Sequence, residues 1–274
     1  MKILITGGNG NIATIIKNNL DNKYKIIALS RNELDILDFK QIKNYLENNT
    51  FDILIHTAVS GGRRTKTDST DSLYINLLMF ENLIKFADKF KLIINLDSAA
   101  IYDRDTDIIN RNEHELFTVP KDLYGLSKYV IYQRTKLYSH IYNFRIFNIF
   151  HINEEDNRFI KSCFIAQKNN TAITIYEDKF FDFFYENDFI KVLSFYINSI
   201  DNQKILLETI NLSYKHKYKL SDIAKLIHNN IVIIKQESNN NYCGNNNLLE
   251  SYNLSLLELE NSIIEYSKLF NFYN

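Results

Sequence analysis

A chain of 274 residues, 45% of them hydrophobic, carries enough apolar material for one large domain, or a large domain with a smaller lobe, around a sizeable core. Its 32 basic and 33 acidic side chains leave a formal charge of -1, which excludes a global pull toward nucleic acid or an anionic membrane, so any bound anion is held locally. Cys163 and Cys243 stand far apart without ligand spacing, which argues against a disulfide framework or a metal site, and the sequence has neither a basic leader nor a run of about 18 apolar residues, so a cytoplasmic protein is expected.

Short β-branched and aliphatic runs at Lys2–Thr6, Lys25–Ser30, Ile53–Thr57, Leu92–Asp97 and Phe144–Asn148 read as strands. Between them, Asn11–Leu20, Phe39–Glu47, Leu73–Phe90 and Leu123–Ser139 repeat apolar residues at helical spacing, with Asp38 placed to cap the second. This alternation predicts an α/β fold: a Rossmann-like, doubly wound parallel sheet over residues 1–150, covered by helices on both faces. Beyond residue 150 the alternation weakens. Strands at Ala172–Tyr176, Ile205–Ile210 and Ile231–Ile234 and helices at Asp188–Asn198, Leu220–His228 and Ser255–Phe270 read as a small C-terminal α/β substrate lobe over 151–274, with some segments returning to the first sheet. The polar, asparagine-rich run 239–247 is expected to be a mobile loop.

Open parallel sheets bind ligands beyond the carboxyl ends of their strands. The first strand runs into Thr6-Gly7-Gly8-Asn9-Gly10-Asn11-Ile12-Ala13, where Gly7 and Gly10 allow a tight turn and close approach of a pyrophosphate, Asn11 and Ile12 open a helix, and Ala13 lets that helix pack on the sheet. At the end of the second strand stands Ser30-Arg31. An acidic side chain there would accept from a ribose 2′-hydroxyl, whereas a guanidinium grips a 2′-phosphate, so NADP(H) is favoured over NAD(H). Asp35-Ile36, read as following a short third strand, could cover the adenine, and His56-Thr57-Ala58 could line the pyrophosphate and the nicotinamide ribose.

Tyr124-Gly125-Leu126-Ser127-Lys128 sets a phenol and an ammonium on one helix face. A phenol with a reference pKa near ~10 becomes a usable acid or base at neutral pH when a fixed positive charge favours its phenolate, and Lys128 supplies that charge.

With these motifs in order, the sequence resembles the extended short-chain dehydrogenase/reductases, the nucleotide-sugar epimerase and dehydratase family, over residues 1–200. The signatures are Thr6-Gly7-x-x-Gly10-x-x-Ala13, His56-x-Ala58, Ser98-Ala99-Ala100-Ile101-Tyr102, Pro120-x-x-x-Tyr124-x-x-x-Lys128 and Arg145-x-x-Asn148; Phe181-Asp182-Phe183 with Asn187-Asp188 is a weaker sixth, its usual arginine lost. The resemblance implies that Ser98 hydrogen-bonds the reacting oxygen, Tyr124 transfers its proton, Lys128 holds the ribose and lowers the tyrosine pKa, Asn76 supports the active-site helices, and Asn148 touches the substrate nucleotide. It also implies a homodimer through the helices Leu73–Phe90 and Leu123–Ser139.

Within that family the residues after the serine lie beside the sugar ring. Ala99-Ala100 replaces the Asp-Glu pair of the dehydratases, and alanine moves no proton. Segments Ser30-Arg31-Asn32-Glu33-Leu34 and Ala58-Val59-Ser60-Gly61-Gly62 echo the GDP-fucose synthase type, but its epimerising cysteine is Ala100 here and its histidine is replaced near Arg158. The expectation is an NADPH-dependent 4-reductase of a nucleotide-activated 4-keto-6-deoxy sugar; a nucleotide-sugar 4-epimerase and a non-catalytic NADP(H) sensor are the alternatives. No arginine follows Arg158, so Lys161, Lys179 or Lys215, or Arg63-Arg64 reaching across, is expected to replace the family's arginines at the substrate diphosphate, and Arg158 and Lys179 are expected to bind substrate.

Overall fold

The opening Lys-Ile-Leu-Ile-Thr forms strand β1 (Lys2–Thr6) of a computed structural model, which describes residues 1–62, 68–202, 206–235 and 240–273. In chain order there follow α1 (Asn11–Leu20), β2 (Lys25–Leu29), α2 (Phe39–Asn48), β3 (Ile53–His56), α3 (Ser72–Ile84), β4 (Leu92–Ser98), β5 (Ile108–Arg111), α4 (Leu123–Thr135), β6 (Ile141–Ile146), β7 (Ile149–Phe150) and α5 (Phe159–Lys168). Then come β8 (Ile173–Glu177), β9 (Phe184–Tyr185), α6 (Glu186–Asn202), β10 (Thr209–Leu212), α7 (Leu220–Lys225), β11 (Ile231–Lys235), β12 (Tyr242–Gly244), α8 (Asn247–Glu250) and α9 (Glu258–Tyr273). The chain divides into two compact units: Met1–Asp103 with Leu116–Arg145 and Leu193–Ile210, and Arg104–Glu115 with Ile146–Val192 and Asn211–Asn274.

The first unit is built on the six-stranded sheet, in the order β10-β6-β4-β3-β1-β2. Strands β1 and β2, β1 and β3, and β3 and β4 pair in parallel, with Thr6 in register with both Leu29 and His56. Because β1 has β2 on one side and β3 on the other, the strand order reverses at β1, and the crevice of a doubly wound sheet opens there. The central strands β3 and β4 are almost wholly buried, as a sheet covered on both faces requires. One core brings Leu4, Leu54 and Ile93 of the sheet against Ile42 and Leu46 of α2, Phe80 and Leu83 of α3, and Ile131 of α4. Each such side chain contributes about 1.5–3 kcal/mol by leaving water. Asp38 caps α2 as expected, accepting from the amides of Lys40 and Gln41.

Several boundaries differ from expectation. No strand forms between Leu29 and α2; the chain turns at Ser30, where the amides of Glu33 and Leu34 bond its carbonyl. Strand β6 begins at Ile141, ahead of the expected Phe144, because Asn143 is satisfied inside the protein by Thr135 and Glu208 and so behaves as a core residue. Helices α3 and α4 stop earlier than their apolar patterns, and a separate 3-10 turn, Ala87–Lys89, follows α3. The strand expected from Ile205 is β10, starting at Thr209; Ile205 itself lies outside the described residues.

The second unit holds three two-stranded pieces: β8 with β11, β5 with β12, and β7 with β9. Phe150, Phe164, Tyr185, Tyr266 and Phe270 pack with tilted rings into its aromatic core. Two buried carboxylates organise it. Asp188 accepts from the Tyr214 hydroxyl and the Leu257 amide, both at 2.8 Å, and Asp182 accepts from the Gly244 amide at 2.8 Å and from Lys217 at 3.0 Å. Within the run expected as a mobile loop, Tyr242–Gly244 is instead a buried strand, and Asn241 is tied to Asp107 through its amide and its side chain. Asparagine composition hid a segment in which Asn241, Tyr242 and Gly244 bond to protein partners. Among the described residues no helix is long and apolar enough to cross a membrane.

Candidate active site

The carboxyl ends of β1, β2 and β3 border a cleft of about 740 Å³ in the first unit. Gly7, with φ +71°, turns the chain at its floor, and a Cβ there would lie 2.8 Å from Ala58 Cα, so only glycine lets the turn after β1 pass the segment after β3. Gly10 is the N-cap of α1, with no capping side chain and no acidic residue in the first turn. The helix therefore presents unpaired amides and the positive end of its dipole to the cleft, which suits a pyrophosphate. Asn9 lines the cleft, and Asn11 and Ile12, expected at the cofactor, form the first turn of α1, so their part there is that of backbone amides at the helix start.

Ser30, Arg31, Asp35, Ile36 and Ala58 line the same cleft. Glu33 accepts from both the amide (2.8 Å) and the hydroxyl (2.6 Å) of Ser30, which fixes this turn and holds the Glu33 carboxyl below its ordinary pKa. Arg31 Nε sits 3.3 Å from Asp35 Oδ2 with 72% of its side chain exposed; an ion pair in water is weak, so the guanidinium can turn to a phosphate at little cost. His56, expected along the pyrophosphate, is instead buried behind the cleft, with Nδ1 2.8 Å from Thr6 Oγ1. Burial, helped by the Lys128 charge, pushes its pKa down to about 3, so it is a neutral strut between β1 and β3.

Helix α4 carries Tyr124 and Lys128. Asp122 caps it by accepting from the Gly125 amide at 2.8 Å, and a Cβ on Gly125 would lie 2.7 Å from the Ala100 carbonyl. That close approach packs the start of α4 on the 3-10 turn Ala99–Tyr102, whose N-cap is Ser98, with Oγ accepting from the Ala100 amide at 3.2 Å. Lys128 Nζ is buried, donates to the Leu96 carbonyl at 2.6 Å, and lies 5.7 Å from the Tyr124 ring centroid. Burial lowers its pKa to about 8, against the opposing pull of Asp97. Asn76 Oδ1 accepts from the Ser60 amide at 2.8 Å while Nδ2 donates to the Ser60 carbonyl at 2.9 Å and to Ser127 Oγ at 3.1 Å; Ser127 Oγ in turn donates to the Tyr124 carbonyl at 2.7 Å. Ala99, expected beside a substrate, has no exposed surface and cannot touch one here. It packs because the turn after Ser98 points its small side chains inward.

The other expected substrate residues belong to the second unit. Asn148 Oδ1 accepts from Arg158 Nη2, and Arg158 Nε lies 3.5 Å from Glu154 Oε2. Burial raises the Glu154 pKa to about 8, with Arg158 opposing. Lys161, Lys179 and Lys215 each sit beside a carboxylate, that of Asp156 (2.9 Å), Glu177 (3.7 Å) and Glu250 (2.7 Å). Arg63 and Arg64 lie outside the described residues. Residues not anticipated at the site include Ser60, Gly61, Asp68 and Ser72, which also line the cleft. The segment Ala58-Val59-Ser60-Gly61-Gly62, with its glycine doublet, was the sequence signal for that loop.

Residues 3–213 match the family model "NAD dependent epimerase/dehydratase family". GDP-L-colitose synthase of Yersinia pseudotuberculosis is 32% identical over 112 residues, 39% of this chain and 36% of that protein, so the match spans about a third of that relative's length. Among solved structures, a dTDP-4-dehydrorhamnose reductase from Clostridium acetobutylicum superposes with a TM-score of 0.81 at 19% identity over 99% of this chain and 100% of its own. A GDP-L-fucose synthetase from Naegleria fowleri bound to NADP gives 0.79 at 18% identity over 100% and 94%. At these identities the two structures establish the fold, while the model match extends over most of the chain, from β1 into β10. The chain therefore belongs to the NAD dependent epimerase/dehydratase family.

Proposed function

We propose that this protein reduces the 4-keto group of a nucleotide-activated 4-keto-6-deoxy sugar, consuming NADPH, in the cytoplasmic synthesis of cell-surface or glycan sugars. The observation that carries this reading is the buried Lys128 ammonium beside the Tyr124 ring, on a helix packed against the turn that starts at Ser98. The glycine turn, the uncapped start of α1 and Arg31 at the cleft wall fit a phosphorylated dinucleotide. The NADP in the Naegleria structure and the reductase and synthase names of the relatives point the same way.

Bound NADPH supplies the hydride. The chain's own part is to deliver a proton and hold the ketone. Ser98 Oγ already accepts from Ala100, so its hydrogen is available to the substrate oxygen, and Tyr124 gives its proton to that oxygen as negative charge develops there. Lys128, charged below its lowered pKa, eases the loss of that proton by favouring the phenolate. In this reading the first unit binds the dinucleotide and the second the sugar nucleotide, with Asn148 and Arg158 at its phosphates, and the working form is a homodimer.

A second reading rests on Asp35. Its carboxylate lines the cleft 3.3 Å from Arg31, where it could accept from a ribose 2′-hydroxyl, and retained NAD would then favour 4-epimerisation. A panel of nucleotide-linked 4-keto sugars incubated with NADPH, with reductant consumption followed by absorbance, tests both. Steady consumption supports the reductase; interconversion of 4-hydroxy epimers without net consumption supports the epimerase; neither, with NADP(H) bound, leaves the sensor.

A further inference from the structure

We propose that the glycine doublet after β3 is a positioning element for catalysis: the Gly62 backbone lies against the hydroxyl end of the Tyr124 ring and fixes where the phenol points. This rests on the reading of Tyr124 as the proton donor. A Cβ built on Gly62 would lie 2.6 Å from Tyr124 Cζ and 2.7 Å from Cε2, closer than real Cβ contacts come, and 3.0 Å from Cε1, and all three atoms belong to the end of the ring that bears the hydroxyl. Gly62 also has φ +83°, and Gly61 before it has φ +84°, so the chain passes the ring in a conformation that only glycine adopts without strain.

The loop is held where it is. The Gly62 amide donates to Asp68 Oδ1 at 2.7 Å, and both backbone groups of Ser60 are gripped by the Asn76 carboxamide, at 2.8 and 2.9 Å. The same carboxamide reaches Ser127, whose hydroxyl donates to the Tyr124 carbonyl. One side chain thus ties the wall to the helix that carries the phenol. Proton transfer needs the donor within hydrogen-bond reach of the substrate oxygen, and a displacement of about 1 Å at a reacting group can cost roughly a hundredfold.

Gly61 supplies the control, because alanine there meets the same backbone strain but would press on Asp68 Oδ1 (2.7 Å) and Ser72 Oγ (3.2 Å) rather than on Tyr124. The protein is labelled with fluorotyrosine, and the Tyr124 resonance is assigned by its loss in Tyr124→Phe. Gly62→Ala should move that resonance, and kcat on any substrate the wild type reduces should fall about a hundredfold while NADPH affinity is kept. Gly61→Ala, at a cleft-lining position, should weaken NADPH binding and move the resonance less than Gly62→Ala does, because it reaches Tyr124 only through Asp68 Oδ1, the acceptor of the Gly62 amide. Should Gly62→Ala fail to fold, Asp68→Asn, which weakens the acceptor for the Gly62 amide without adding an atom, should shift or broaden the same signal. An unmoved Tyr124 resonance in both Gly62→Ala and Asp68→Asn, or an equal shift in Gly61→Ala, overturns the proposal. A moved resonance with unchanged kcat also overturns it, and full turnover by Tyr124→Phe would trace that outcome to the proton-donor reading instead.

Discussion

Lys128 Nζ lies 5.7 Å from the centre of the Tyr124 ring and from the same place donates a 2.6 Å hydrogen bond to the Leu96 carbonyl. Burial lowers the pKa of this ammonium from 10.5 to about 8, so it is charged below that pH and neutral above it. Loss of the charge removes the support for proton release from Tyr124. The kcat/KM of reduction should therefore fall as pH rises through about 8, with Asp97→Asn moving the fall to lower pH because Asp97 holds the Lys128 pKa up. A pH–rate profile checks this, and a flat line to about pH 10 would contradict it.

Arg31 reaches solvent at the cleft wall, where its partner among the described residues is Asp35. Arg31→Asp replaces a phosphate partner by a repelling charge and should weaken NADPH binding roughly tenfold to a hundredfold relative to NADH, the scale of a charge-assisted hydrogen bond. Titrating both cofactors against wild type and variant measures it. Unchanged NADPH affinity would remove the argument against the epimerase.

Arg145 and Asp97 form a 2.7 Å ion pair whose side chains are 0% and 1% exposed, and Arg145 also donates to the Tyr102 hydroxyl and lies between the Tyr102 and Tyr132 rings. Arg145→Met leaves the Asp97 carboxylate buried without its partner and should cost about 3–5 kcal/mol of stability. Arg134, whose pair with Glu81 is open to solvent, should tolerate alanine with little change. Denaturant unfolding of the two variants should separate them clearly.

Tyr74 on α3 is 66% exposed and Val130 on α4 is 40% exposed, so both helices carry apolar surface outward as well as inward. A homodimer through this face should sediment at twice the monomer mass of 32.4 kDa at micromolar concentration, and Tyr74→Glu should shift it toward monomer. A single monomeric species for the wild type would count against the proposed dimer.

The first unit was legible because its strands are unbroken apolar runs and its site residues follow them directly: β1 and α1 fall on their expected bounds, and Tyr124 and Lys128 share a helix as their spacing requires. What escaped was polar chemistry turned inward. Asn143 behaves as a core residue, His56 is a neutral strut rather than a cleft wall, and Tyr242–Gly244 is a strand inside an asparagine-rich run. In each case hydrogen bonds to residues distant in sequence satisfy the polar groups, and local composition carries no record of them. In the loop after β3, Thr57 and Ala58 were expected at the cleft and line it, whereas the part of Ser60, Gly61 and Gly62 was not read, because it is made by backbone.

The central claim is that Tyr124 donates the proton in an NADPH-driven ketone reduction, and Tyr124→Phe tests it most directly because it removes one hydroxyl and leaves the ring. On a 4-keto nucleotide sugar that the wild type reduces, the variant should bind NADPH with unchanged affinity and keep its melting temperature, while NADPH consumption slows by about a hundredfold or more. Wild-type turnover by Tyr124→Phe would contradict the account and leave the glycine turn as evidence of dinucleotide binding alone.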